Sequence, residues 1–148
     1  MKNLFLILLV ATCFMACKKN AASKVKEENV VKAKQRDYKS SLLPIASFDK
    51  EVHDYGMITE GDVVVTSFVV TNTGKSDLII SNAKATCGCT IPVWPKKPIA
   101  PGASEKIEVK FNSRGKKNKQ SKTITLTTNT VNGKETLVIK GQIIPNKQ

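Results

Sequence analysis

From Ile45 onward the chain repeatedly spaces its apolar residues two apart. "KIEVKF" puts Ile107, Val109 and Phe111 on one side and Glu108 and Lys110 on the other. "KTITLTT" points Ile124 and Leu126 one way and Thr123, Thr125 and Thr127 the other. "TLVIKGQII" aligns Leu137, Ile139, Gly141 and Ile143, and "DVVVTSFVVTN" aligns Val64, Thr66, Phe68 and Val70. Such alternation predicts half-buried antiparallel strands, because successive side chains of a strand leave opposite faces of the sheet. "SDLIISNA", "TIPVW" and an opening "SFDKEVHDYG" add shorter strands.

Turn chemistry falls between these runs. "NTGK" at Asn72 to Lys75 predicts a turn, and Asn132-Gly133 predicts a hairpin, since this pair accepts the positive φ that two-residue turns require. "WPKKPIAPG" carries three prolines and reads as an extended loop, because proline cannot donate to a sheet ladder. No helical period emerges in this half. About seven short antiparallel strands over roughly 100 residues predict an all-β, immunoglobulin-like β-sandwich over 45–148. The disulfide that staples the two sheets of antibody domains has no counterpart here, because Cys87 and Cys89 are neighbours.

The first 44 residues follow other rules. Lys2 precedes an uncharged apolar run from Leu4 to Phe14, too short for a bilayer span of about 20 residues and suited to a secretory signal. The run ends in "FMAC", which resembles a bacterial lipobox. The expectation is a signal peptide over 1–16 and lipidation of Cys17. Residues 17–44 are lysine-rich and poor in large apolar groups. They read as a lipidated basic linker with a short helix around Glu28 to Arg36, closed by Pro44. Lys18 and Lys19 follow the cysteine without an acidic cluster. The expected location is the periplasmic side of an outer membrane.

The formal charge is +12. An exported lipoprotein meets little nucleic acid, and no aromatic residues interleave with the basic ones as single-strand binders require. Anionic membrane surface, an anionic envelope polymer or another envelope protein is the expected partner. Arg114, Lys116, Lys117, Lys119 and Lys122 in "SRGKKNKQSK" lie between two predicted strands. A hairpin there would gather them into an anionic-surface patch at one end of the sandwich.

The chain has four cysteines. Cys13 leaves with the signal and Cys17 takes the lipid, so Cys87 and Cys89 remain as the thiol chemistry of the mature chain. Three uses stay open: a packed thiol pair, a labile disulfide, or capture of a soft metal such as Cu(I). In a regular strand their Cα atoms would stand about 6.6–6.8 Å apart, beyond the 5.5–6 Å or so that disulfides prefer. Bridging therefore calls for a bent backbone, which Gly88 would permit. His53 is the single histidine, and a triad needs a base beside a nucleophile, so it reads as a surface residue. Two cysteines and a distant histidine do not make a structural zinc site. Neither a resident metal nor an organic cofactor is called for. Trp94 reads as a core or loop-covering residue.

Six motifs in order carry a resemblance: Gly56, Ile58, Glu60 and Gly61; Phe68 to Gly74; Cys87 to Thr90; Pro98 to Gly102; Phe111 to Gly115; and Thr128-Asn129. Together they resemble the bacterial domain-of-unknown-function family 1573. That family is similar in fold to Hydin and major-sperm-protein domains. The resemblance implies an immunoglobulin-like fold, export and often lipid attachment. It implies no reaction. The expected function is non-enzymatic binding or scaffolding in the cell envelope, and the alternative is a thiol protein that works through Cys87 and Cys89.

Overall fold

The computed structural model describes residues 27–146. The expected signal peptide and Cys17 lie outside the described residues. The chain divides into two units between Asp37 and Tyr38, inside helix α1 (Glu27–Ser41). The helix is longer than its sequence suggested. No glycine or proline interrupts residues 27–41, and lysine, glutamate, glutamine and alanine are good helix formers. Glu28 and Lys32 pair one turn apart. The Ser41 hydroxyl donates back to the Tyr38 carbonyl at 2.7 Å, and Pro44 follows the last turn.

Eight strands follow: β1 (Ala46–Phe48), β2 (Val52–Thr59), β3 (Val63–Asn72), β4 (Ile80–Ala85), β5 (Thr90–Val93), β6 (Ser104–Asn112), β7 (Asn118–Thr128) and β8 (Lys134–Ile144). One sheet has the order β1-β3-β6-β5 and the other β2-β8-β7-β4. The expected sandwich is present, and the inward sets of β3, β6, β7 and β8 are those the alternation assigned. Phe68, Val70, Ile107, Val109, Phe111, Ile124, Leu126, Leu137 and Ile139 are all fully buried. The opening "SFDKEVHDYG", expected as one strand, is two. It changes sheets at Asp49–Glu51, and β2 runs parallel to β8. The expected seven or so strands are eight, and one pairing, β2 with β8, is parallel where all were expected antiparallel. Alternation reports which face is buried and carries no information on strand direction.

Two glycines are required by close approach. The ladder between β2 and β8 shifts between Asp54 and Met57, and Gly56 takes a φ of 70° within this bulge. The bulge turns Tyr55 inward over Gly141, where a Cβ would overlap the ring and stand 2.6 Å from the Gly56 carbonyl oxygen. Tyr55 stacks on Phe111 with centroids 5.6 Å apart. Burial raises its phenol pKa, with the Asp54 carboxylate adding to the shift. Gly74 touches the chain entering the sandwich: a Cβ there would lie 2.5 Å from the Ile45 nitrogen and 2.6 Å from the Leu43 oxygen.

The β5 edge is blunted. Cys89 accepts from the Asn112 N–H, so the two-residue period turns the missing N–H of Pro92 toward the open side of β5. Proline at that position denies a partner strand its donor.

Asn72, fully buried at the end of β3, ties three segments together. Its Oδ1 accepts from the Gly74 N–H at 3.0 Å and the Ile45 N–H at 3.4 Å. Its Nδ2 donates to the Ser76 and Ile99 carbonyls, both at 2.8 Å. The expected outcome of Asn72→Ala is a loss of about 2–3 kcal/mol in denaturant unfolding, because the buried Ile99 carbonyl and three part-buried backbone groups lose their mate. Gly141→Ala should cost about 2 kcal/mol through displacement of Tyr55. A variant whose midpoint is unchanged would refute the corresponding role.

Candidate functional site

Polar motif residues gather at the two ends of the sandwich, where chain segments change sheets. At the Asn72 end, Asn129 also clamps a connection: its Oδ1 accepts from Ile79 N–H at 2.8 Å and its Nδ2 donates to the Asp77 carbonyl at 2.9 Å. At the opposite end Ser113, fully buried, donates to the Thr59 carbonyl at 3.1 Å and accepts from Gly61 N–H at 2.9 Å. The Glu60 carboxylate accepts from Gly115 N–H at 3.2 Å. The side chains of Asn72, Ser113 and Asn129 therefore serve the backbone, holding the connections of the sandwich.

The "CGCT" stretch also lies on a connection, the crossing from β4 to β5. Thr86 still reaches β7, its N–H donating to the Thr123 carbonyl at 3.0 Å. Thr90 N–H then donates to the Cys87 carbonyl at 3.2 Å, closing a turn around Gly88 and Cys89. The turn brings the Cα atoms of Cys87 and Cys89 to 5.2 Å, and a disulfide joins them. The bend that bridging calls for, and that Gly88 would permit, is present. Gly88 does not use the left-handed region, and a Cβ there would meet nothing within 4 Å. The turn's own hydrogen bond supplies the bend. Cys89 packs against the core and both cysteines are half-buried.

Thr90 is 4% exposed. Its hydroxyl lies 3.6 Å from Cys87 Sγ and 3.9 Å from Cys89 Sγ, within reach of both sulfurs. The sequence signal for this residue was present in "C-G-C-T", but only the fold turns the side chain back toward both sulfurs. While oxidised, the pair offers no thiolate to Cu(I). Among the described residues, no three His, Cys, Asp or Glu side chains group as metal ligands.

The basic residues are not on a hairpin. β6 and β7 belong to different sheets, and residues 113–117 cross between them. Arg114, Lys116 and Lys117 sit on that crossing. Arg114 and Lys117 line an open cleft that also contains Glu60. Lys119 and Lys122 belong to β7 and leave it on opposite faces, since they are three residues apart in an unbroken ladder. Lys122 turns to Gln120, donating to its Oε1 at 2.8 Å. A period of two marks strand β7 but not the sheet change that precedes it. His53 stands half-buried on β2 opposite Ile139. Trp94 packs against the core, donates from Nε1 to the Ile80 carbonyl at 3.0 Å, and carries the Lys96 ammonium 3.1 Å above its ring.

Residues distant in the sequence form a further surface. On the outer face of the β1-β3-β6-β5 sheet the register sets Val65, Lys110 and Ile91 in one cross-strand row, with Val63 and Val93 in the rows beside it. These four apolar side chains are 47–60% exposed. Their parity in "VVV" and "IPV" marked them as outward, but only strand order makes them neighbours.

Two four-stranded sheets with a split first strand and clamped ends define an immunoglobulin-like β-sandwich domain. Residues 46–143 match the family described as "Protein of unknown function (DUF1573)", and the chain belongs to that family. A comparison with curated proteins finds no match. Among solved structures, a protein of unknown function from Porphyromonas gingivalis W83 superposes with a TM-score of 0.61 at 14% identity, over 70% of this chain and 48% of that one. The chain thus spans about half of that relative (48%). A PapD-like domain of human CEP192 gives a TM-score of 0.56 at 8% identity, over 73% of this chain and 89% of that one. The secreted serine protease VesC from Vibrio cholerae gives 0.55 at 15% identity, over 81% of this chain but only 26% of that protein. At these identities the likeness is one of fold.

The Cys87–Cys89 bridge closes a ring of three residues, for which chain entropy supplies only about 1.6 kcal/mol. The double variant Cys87→Ser/Cys89→Ser should therefore lose no more than about 2 kcal/mol in denaturant unfolding. A larger loss would mark the bridge as a structural staple.

Proposed function

We propose that this is an exported, lipid-anchored cell-envelope protein whose sandwich is a non-enzymatic binding or scaffolding module. In this reading Cys17 carries the lipid, and the basic stretch and helix α1 form the tether. The protein resides in the outer membrane facing the periplasm. The reading of the N-terminus rests on its sequence alone: a charged start, a short apolar run and a small residue before cysteine. Two acyl chains would make such an anchor stable where one would not.

The observation that carries the binding role is the exposed outer face around Lys110. Valine and isoleucine there face solvent on a sheet that already buries a full set of inward residues. Two exposed apolar pairs, Val63 with Val65 and Ile91 with Val93, flank the β6 positions Asn112, Lys110 and Glu108, and apolar groups set around charged ones are the composition of a docking site. The partner it fits is another envelope protein presenting an acidic side chain among apolar ones, because Lys110 stands between Val65 and Ile91 and needs a counter-charge once covered. The polar motif residues favour this reading over catalysis: Asn72, Ser113 and Asn129 commit their side chains to backbone partners.

Cys17→Ala should release the chain from the membrane fraction of the native host and leave an unprocessed form. A processed, membrane-bound variant would refute the anchor. A photo-crosslinking residue at Ile91 should trap one discrete partner that the same residue at Thr125, on the other sheet, does not. Lys110→Glu should abolish that adduct. Equal labelling from both positions, or an adduct indifferent to Lys110→Glu, would refute the docking face.

A further inference from the structure

We infer that Cys87, Cys89 and Thr90 form a thiol–disulfide exchange centre that takes electrons from a polypeptide dithiol. Three observations converge on it, and none depends on the binding role above. The bridge spans three residues and adds little to a crossing already held by the Thr86–Thr123 and Thr90–Cys87 hydrogen bonds. Stability is thus a weak reason for its presence. Gly88 stands between the cysteines although neither its φ nor its surroundings require glycine. Glycine there adds no side chain of its own beside the half-buried sulfurs. Thr90, buried, directs its hydroxyl to the two sulfurs.

The chemistry follows from these positions. Cys89 packs against the core, so Cys87 Sγ is the sulfur open to attack. A client thiolate bonds to Cys87 Sγ, the S–S bond breaks, and its electron pair leaves on Cys89 as a thiolate. The Thr90 O–H donates to that thiolate, stabilising the charged form and making it a better leaving group. The client's second thiolate then bonds to the client sulfur of the mixed disulfide and expels Cys87 as a thiolate. Both cysteines end protonated with the two protons the client thiols lost. Two electrons have passed from the client dithiol to the pair, and the client holds a new disulfide. Thr90 is a positioning residue in this scheme, and the reacting atoms are the sulfurs.

The full chain is the protein to test, with Cys87 and Cys89 followed by alkylation and peptide mapping so that Cys13 and Cys17 do not interfere. The pair should be isolated as a disulfide. It should exchange both with glutathione buffers and with a reduced, unstructured two-cysteine peptide. Thr90→Val should slow peptide exchange about tenfold and raise the thiol pKa of the reduced pair, while Thr90→Ser restores both. Gly88→Val, in open space, should leave the unfolding midpoint unchanged, slow the peptide, and spare dithiothreitol. It keeps the test intact even if Thr90→Val folds poorly. Reaction with dithiothreitol but not with the peptide would overturn the inference. So would a pair found as two stable thiols, a disulfide untouched at every glutathione ratio, or rates indifferent to Thr90→Val and Gly88→Val.

Discussion

One buried amide holds the sandwich in its arrangement. Asn72 has two donors and two accepting lone pairs on its side chain, and the fold uses all of them. Its partners come from the chain entering the domain, the turn after β3, and the proline-rich loop before β6. Ile99, whose carbonyl accepts from it, also exchanges two backbone bonds with Leu78 at 2.9 Å each, and both side chains are core residues. Backbone that must leave a sheet cannot find ladder partners, and burying it without them would be costly. A polar side chain at that point lets three connections sit against the core at once. Gly74 belongs to the same device, because any side chain there would push the entering strand away.

The far end repeats the solution with different residues. Ser113 and Glu60 satisfy the backbone where β2 passes to β3 and β6 to β7. This explains why so many polar motif residues commit their side chains to backbone partners. A β-sandwich with five sheet changes among seven connections needs capped corners. Against that background "CGCT" stands apart: its cysteines pair only with each other, and its glycine answers to no stereochemical demand. Such a feature invites a chemical explanation, whereas an asparagine clamp does not.

Charge and hydrophobicity are distributed in a way the linear chain conceals. Five basic residues within nine positions look like one hairpin, yet three of them share a sheet crossing while Lys119 and Lys122 leave β7 on opposite faces. Conversely, Val63, Val65, Ile91 and Val93 lie far apart in sequence and share one exposed face. Both outcomes have the same cause, the order of strands across the sheet.

The sequence by itself determined which residues enter the core and where most turns fall. Side-chain alternation and turn chemistry are local, and a buried face tolerates only one register. It also determined the class of fold, through the number and spacing of strands, and the ordered motifs that mark the family. Tertiary structure alone decided that the opening strand splits between sheets, that β2 runs parallel to β8, and that the basic stretch crosses instead of folding back. It also decided that the cysteines meet in a turn with Thr90 directed at both sulfurs. These depend on partners distant in the chain, and a period of two records the face a residue occupies but never the strand that lies beside it.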